Sequence, residues 1–213
     1  MSLECGVGAP SKVGAGLLIC CEGACLLLRR SETSGNPGTW GLPGGNADPE
    51  DGGQLLNTAM REAREELGKL PAGMSVLGSV LTRRGKSLQK HYTVFLVSVP
   101  GADRAAYRPA LNGEHTEWRW LDLRHAAVLA AAPGALVHNP SGPGFLGDPD
   151  DDEAAAAAAG PAPCDMVLHP VVRVLFSGTH VEALRAMLPR VGAVPEARAA
   201  GAEPAGGVDV AGL

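Results

Sequence analysis

Apolar positions follow two rhythms along the first 130 residues, and the switch between them outlines the fold. Residues 13–20 and 24–28 are nearly unbroken apolar runs separated by Cys21-Glu22-Gly23, which predicts two buried strands joined by a hairpin turn. Residues 31–38 are polar and read as a loop. Residues 39–45 read as a short strand entering a glycine turn, and 46–53 as an acidic loop. From Gln54 to Leu67 the spacing becomes helical: Leu56, Ala59, Met60, Ala63 and Leu67 fall on one face, nothing interrupts them, and Gly68 supplies the stop. Strands are then predicted at 76–82, 92–99 and 117–121, with a short helix at 125–132.

Beyond Leu123 the chain is diluted by alanine, and residues 134–165 carry Pro/Gly-rich ends, an acidic run and six alanines in succession. That stretch reads as a low-complexity inserted loop. Its Asp148, Asp150 and Asp152 imitate the start of a calcium loop, but Glu153 and Ala159 stand where Gly and Glu are needed, so calcium is rejected. Order should resume at 166–176, where His169-Pro170 reads as a turn that starts structure, and a helix should follow near 180–188. The expected organisation is a flexible leader over 1–11, one domain over 12–190 interrupted by that loop, and a disordered tail over 191–213.

Composition narrows the class. The 213 residues carry a net charge of −5, so no broad basic surface for a nucleic-acid duplex is expected. The longest apolar stretch, 13–21, is far short of the roughly 20 residues that span a bilayer. Five cysteines are odd in number and form no CxxC pair, which argues against a disulfide framework and for a reducing, cytoplasmic setting. Cys20 and Cys21 are adjacent on a strand and should face opposite ways.

The helix carries the chemistry. Glu62, Glu65 and Glu66 stand at i, i+3 and i+4, so their carboxylates gather on one flank and repel one another unless something positive lies between them. Such a cluster is more often a solvated helix face, and with a cation between them the acids can hold Mg²⁺, or Mn²⁺.

Gly44-Gly45 followed by Arg61-Glu62-Ala63-Arg64-Glu65-Glu66-Leu67-Gly68 resembles the Nudix box of the Nudix hydrolase superfamily, and Trp40-Gly41-Leu42-Pro43 looks like the strand and turn that lead into it. The resemblance covers residues 12–130. It departs from the box pattern in the first half: the expected glutamate position is Gly53, and Gly45 lies two residues too far upstream. A two-residue insertion explains this, with Glu50 or Asp51 filling the missing place.

The resemblance implies an α+β fold, an α/β/α sandwich with a mixed sheet, and hydrolysis of a pyrophosphate bond in a nucleoside diphosphate linked to another group. A modified nucleoside triphosphate is one such substrate. Metal ligands would be Glu65, Glu66 and the Gly45 carbonyl, with Glu62 binding through water or assisting as base and Arg61 orienting the acids. Glu62, Glu65 and Arg61 are thus the catalytic candidates. Glu114 would complete the metal set, with Glu117 as second choice.

Arg29, Arg83 and Lys90 are candidate phosphate contacts, and Trp40 could stack a base. For Trp40, Trp118 and Trp120 alike, packing is the commoner role. The partner expected is a small nucleotide, with neither membrane nor duplex, and a homodimer is left open. Two rival readings are a binding module that keeps the fold without efficient catalysis, motivated by Gly53 and the insertion, and an inositol pyrophosphate hydrolase, for which the basic cluster is missing.

Overall fold

The computed structural model of the protein describes residues 10–131 and 166–188. Strands β1 (Lys12–Cys21) and β2 (Ala24–Arg30) are joined by Glu22 and Gly23, whose φ values of 49° and 76° are the left-handed pair a two-residue hairpin turn demands. The strands stay paired only beside that turn, Cys20 with Cys25 and Cys21 with Ala24. Beyond it each takes new partners. β1 runs parallel to β6 (Lys90–Ser98) and antiparallel to the short β4 (Gly44–Asn46). β2 runs antiparallel to β3 (Trp40–Gly41) and to β7 (His115–Asp122). β5 (Ser75–Arg84) lies antiparallel along β6, giving a mixed seven-stranded sheet.

Helices cover both faces. α1 (Leu55–Leu67) lies on one side, where Ala59, Met60, Ala63 and Leu67 meet Leu17, Ile19, Leu26 and Leu28. On the other side Leu18, Leu27, Val94 and Leu96 pack against residues of α3 (Leu123–Ala131), α4 (Pro170–Leu175) and α5 (His180–Met187), among them Ala126, Val172, Leu175 and Leu184. Strand alternation therefore feeds two cores from one sheet, the expected sandwich. Cys20 and Cys21 do go to opposite cores, and burial pushes both thiols up. Both are structural.

The elements depart from the sequence reading where side chains act on the backbone. The loop 46–53 contains a one-turn 3₁₀ helix (Pro49–Asp51) started by the Asp48 carboxylate, which accepts the Glu50 N–H at 2.9 Å. The helix expected at 125–132 starts earlier because the Asp122 carboxylate accepts the Arg124 and His125 amides at 2.8 and 3.2 Å. A short helix, α2 (Gly101–Ala106), was not expected. His169 does start structure: its Nδ1 accepts the Val171 N–H at the head of α4. The inserted loop at 134–165, with its aspartates, the tail at 191–213 and most of the leader lie outside the described residues. Among the described residues no helix is long and apolar enough to cross a membrane.

Candidate active site

The site begins where the 3₁₀ helix delivers Asp51. Its side chain is 4% exposed and accepts four bonds: Asp48 N–H at 2.8 Å, Thr58 hydroxyl at 2.7 Å, and Arg61 Nε and Nη2 at 2.9 and 3.1 Å. The two-pronged guanidinium contact comes first in holding this carboxyl well below the usual carboxylate range, and Asp51 in turn raises the pKa of Arg61. Of the two residues left open for the missing acid, Asp51 takes the place and Glu50 is exposed. The insertion follows it. Gly52 and Gly53 have φ of 64° and 74°, a left-handed pair that turns the chain back into α1 with Asp51 still against Arg61.

Arg61 then reaches across the helix surface. Its Nη1 donates to Glu62 and Glu65 at 3.0 and 3.3 Å, and its Nη2 donates to the Asn46 carbonyl at 3.2 Å. Positive charge for two of the three like-charged glutamates, Glu62 and Glu65, is therefore supplied from within the helix.

Three glutamates occupy three settings. Glu65 is 55% exposed beside Arg61. Glu62 packs its carboxylate against Gly45, where a methyl group would collide with it, and burial raises its pKa against the pull of Arg61. Glu66 is buried on the strand side and accepts the Gly44 N–H at 2.8 Å. Burial outweighs that bond and pushes its pKa up to about 8.

Two further acids were candidates. Glu114 precedes β7, and its charge raises the pKa of both Glu62 and Glu66 while its carboxylate lies 3.6 Å from Arg30. Glu117 instead faces Arg29 and Arg119, with the Arg29 bond chiefly responsible for its lowered pKa. Of the two, only Glu114 acts on the charge of the α1 glutamates. Beside Glu66 lies His115, whose Nε2 is 3.9 Å from Oε1; burial, then Arg30, lower its pKa to about 4, so it is neutral there.

The residues expected to touch substrate are scattered. Arg29 is committed to Glu117, Arg83 and Lys90 are exposed, and Trp40 is buried in the core with Arg119 over its ring. A ring 4% exposed has no face to offer a base. Arg30 acts on the Glu66 charge, Tyr92 feels both Glu66 and Arg84, and His169 feels Arg84 and Arg30. Val80 and Thr82 are buried along β5, and the same alternation puts Arg84 rather than Arg83 on their face. Arg30 follows a bulge between Arg29 and Arg30, where alternation fails.

The donor chemistry suits a hard divalent cation: carboxylate oxygens at Glu62, Glu65 and Glu66, a fourth acid at Glu114, and a strand glycine whose missing Cβ leaves Glu62 room. Among the described residues, no three His, Cys, Asp or Glu side chains form a ready-made metal cage; Arg61 donates to Glu62 and Glu65, and the Gly44 N–H to Glu66.

Comparison with known proteins adds a lineage to this geometry. The NUDIX domain family model matches residues 10–141. A Mycobacterium tuberculosis protein named "Putative 8-oxo-dGTP diphosphatase 3" is 33% identical over 112 residues, 52% of this chain and 50% of its own length. The chain thus spans about half the length of the curated relatives it matches. The crystal structure of a Nudix hydrolase from M. smegmatis, RenU, superposes with a TM-score of 0.54 at 22% identity, covering 87% of this chain and 90% of that one.

Proposed function

The chain belongs to the NUDIX domain family, and from that premise we propose that it hydrolyses a pyrophosphate bond in a nucleoside diphosphate linked to another group, with a modified nucleoside triphosphate as the favoured substrate. One observation carries the reading: Arg61 ties Asp51, Glu62 and Glu65 together on α1, directly below the glycine strand whose Gly44 N–H holds Glu66. The name of the M. tuberculosis relative supports an oxidised purine nucleotide as the first substrate to try.

Glu65, Glu66 and the Gly45 carbonyl would hold Mg²⁺ or Mn²⁺, with Glu62 as a water-mediated ligand or base and Glu114 completing the set. Such a metal, when bound, would supply phosphate-charge neutralisation and an acidified water. Within the protein, Arg61 restrains Glu62 and Glu65 while Asp51, itself pinned by Thr58 and the Asp48 amide, restrains Arg61. As base, Glu62 would accept the proton of the attacking water. Water adds to phosphorus, the bridging P–O bond breaks, and the leaving phosphate departs with the electron pair. Arg30, not Arg29, is the β2 cation whose charge reaches the cluster.

The binding-module alternative rested on Gly53 and the insertion. Asp51 makes the arginine contact that this reading assumed lost, so its reason falls away. Phosphate release from a panel of canonical and oxidised nucleoside triphosphates and dinucleoside polyphosphates, with Mg²⁺, tests the proposal. Turnover of a triphosphate to monophosphate and pyrophosphate is expected; binding without turnover of any member would restore the module.

A further inference from the structure

Arg84 closes β5 on the face that Val80 and Thr82 bury, toward the α4 and α5 side of the sheet. Its guanidinium lies over the ring of Tyr92, with Cζ 5.9 Å from the ring centre. Its Nε is buried and has no hydrogen-bond partner among the described residues. A desolvated N–H with no acceptor weakens a fold, and here it belongs to a cation that stays charged at neutral pH.

Tyr92 fixes where that cation stands. A methyl at Gly16 or Gly44 would collide with the tyrosine hydroxyl, so the ring is seated on the two glycine strands that flank Glu66. Burial and then the Glu66 charge raise the Tyr92 pKa, and Arg84 and Arg30 oppose them. The ring thus stands within electrostatic reach of both the α1 acids and the two arginines. Arg30 already engages the Gly35 carbonyl and faces Glu114. Among the described residues, the Arg84 Nε has no such acceptor.

We propose that Arg84 is a substrate-binding residue, its planar face resting on Tyr92 and its Nε edge taking a phosphate oxygen of the nucleotide. A guanidinium edge matches phosphate geometry, and one face already stacked loses little freedom on binding. The inference rests on the pyrophosphohydrolase reading and specifies how that site holds its substrate.

Calorimetric titration in Mg²⁺ of wild type, Arg84→Gln and Arg84→Lys tests it, with inorganic pyrophosphate and the α,β-methylene analogues of dGTP and dTTP as probes. Arg84→Gln should weaken all three by about tenfold or more, equally for the two bases, and Arg84→Lys should recover part of the loss. In turnover, KM should rise more than kcat falls. Unchanged affinities, a loss confined to one base, or a lowered Tm with affinities kept would each overturn the assignment. If wild type hydrolyses its substrate while Arg84→Gln binds equally well, this assignment fails alone; if wild type neither binds nor hydrolyses any nucleotide, the underlying reading fails with it.

Discussion

At the residue scale, a carboxylate displaced in sequence is returned in space. Asp51 spends all its acceptor capacity on an arginine, a hydroxyl and a backbone amide, so Asp51→Asn removes charge and converts one acceptor into a donor facing the guanidinium. The variant should melt several degrees lower and turn over substrate more slowly, because Arg61 then orients Glu62 and Glu65 less firmly; thermal melts and kcat report the two effects. The pH sign follows from the depressed carboxyl: its stabilisation is complete above the ordinary carboxylate range and is lost on acidification through the folded value. An unchanged melt across pH 2–7 for wild type relative to Asp51→Asn would contradict this. Glu50 and Asp51 could not be separated by sequence, because the choice depends on one turn of 3₁₀ helix that the Asp48 side chain starts.

At the element scale, the glycine strands and α1 are one device. Gly14, Gly16, Gly44 and Gly45 lack Cβ atoms where Tyr92, the Gly45 carbonyl, the Pro43 carbonyl and the Glu62 carboxylate press on the backbone. Gly16→Ala puts a methyl 2.7 Å from the Pro43 carbonyl, and the expected cost is about 1–3 kcal/mol in urea unfolding; a neutral result would mean the strands part easily. α1 was legible because its periodicity, its Gly68 stop and its buried face all agree, and Gly68 does end it with a φ of 72°. Short α2 was not legible, since six residues carry too little periodicity. α4 makes its own pH prediction. Burial, then Arg84 and Arg30, lower the His169 pKa to about 4, so the fold keeps this imidazole neutral. That preference is fully present above the unfolded value near 6.5 and is lost as pH falls toward 4, on the order of 3 kcal/mol. His169→Asn keeps a cap acceptor for Val171, so its stability should fall less steeply over that window. Parallel pH–stability curves would refute it.

At the scale of the whole molecule, one sheet carries α1 on one face and α3, α4 and α5 on the other. The layout, a mixed sheet between helices, was readable from apolar runs and one helical stripe, because burial decides those patterns. The candidate acids were readable because helical spacing gathers them. What could not be read was the cation side of the site: Arg30 follows a bulge, Arg84 lies past the expected end of its strand, and His169 comes from residues 166–188, distant in sequence. Those contacts depend on how β2, β5 and α4 meet, which only the folded chain sets. The central claim is that the α1 glutamates drive pyrophosphate-bond hydrolysis. It is tested most directly by pyrophosphate release from dGTP and 8-oxo-dGTP in Mg²⁺, with wild type beside Glu65→Gln at equal folded concentration. Wild type should release pyrophosphate, and the variant should lose several orders of magnitude in rate with its melt unchanged; equal rates in the two proteins, or no release by either, would overturn the role given to these glutamates.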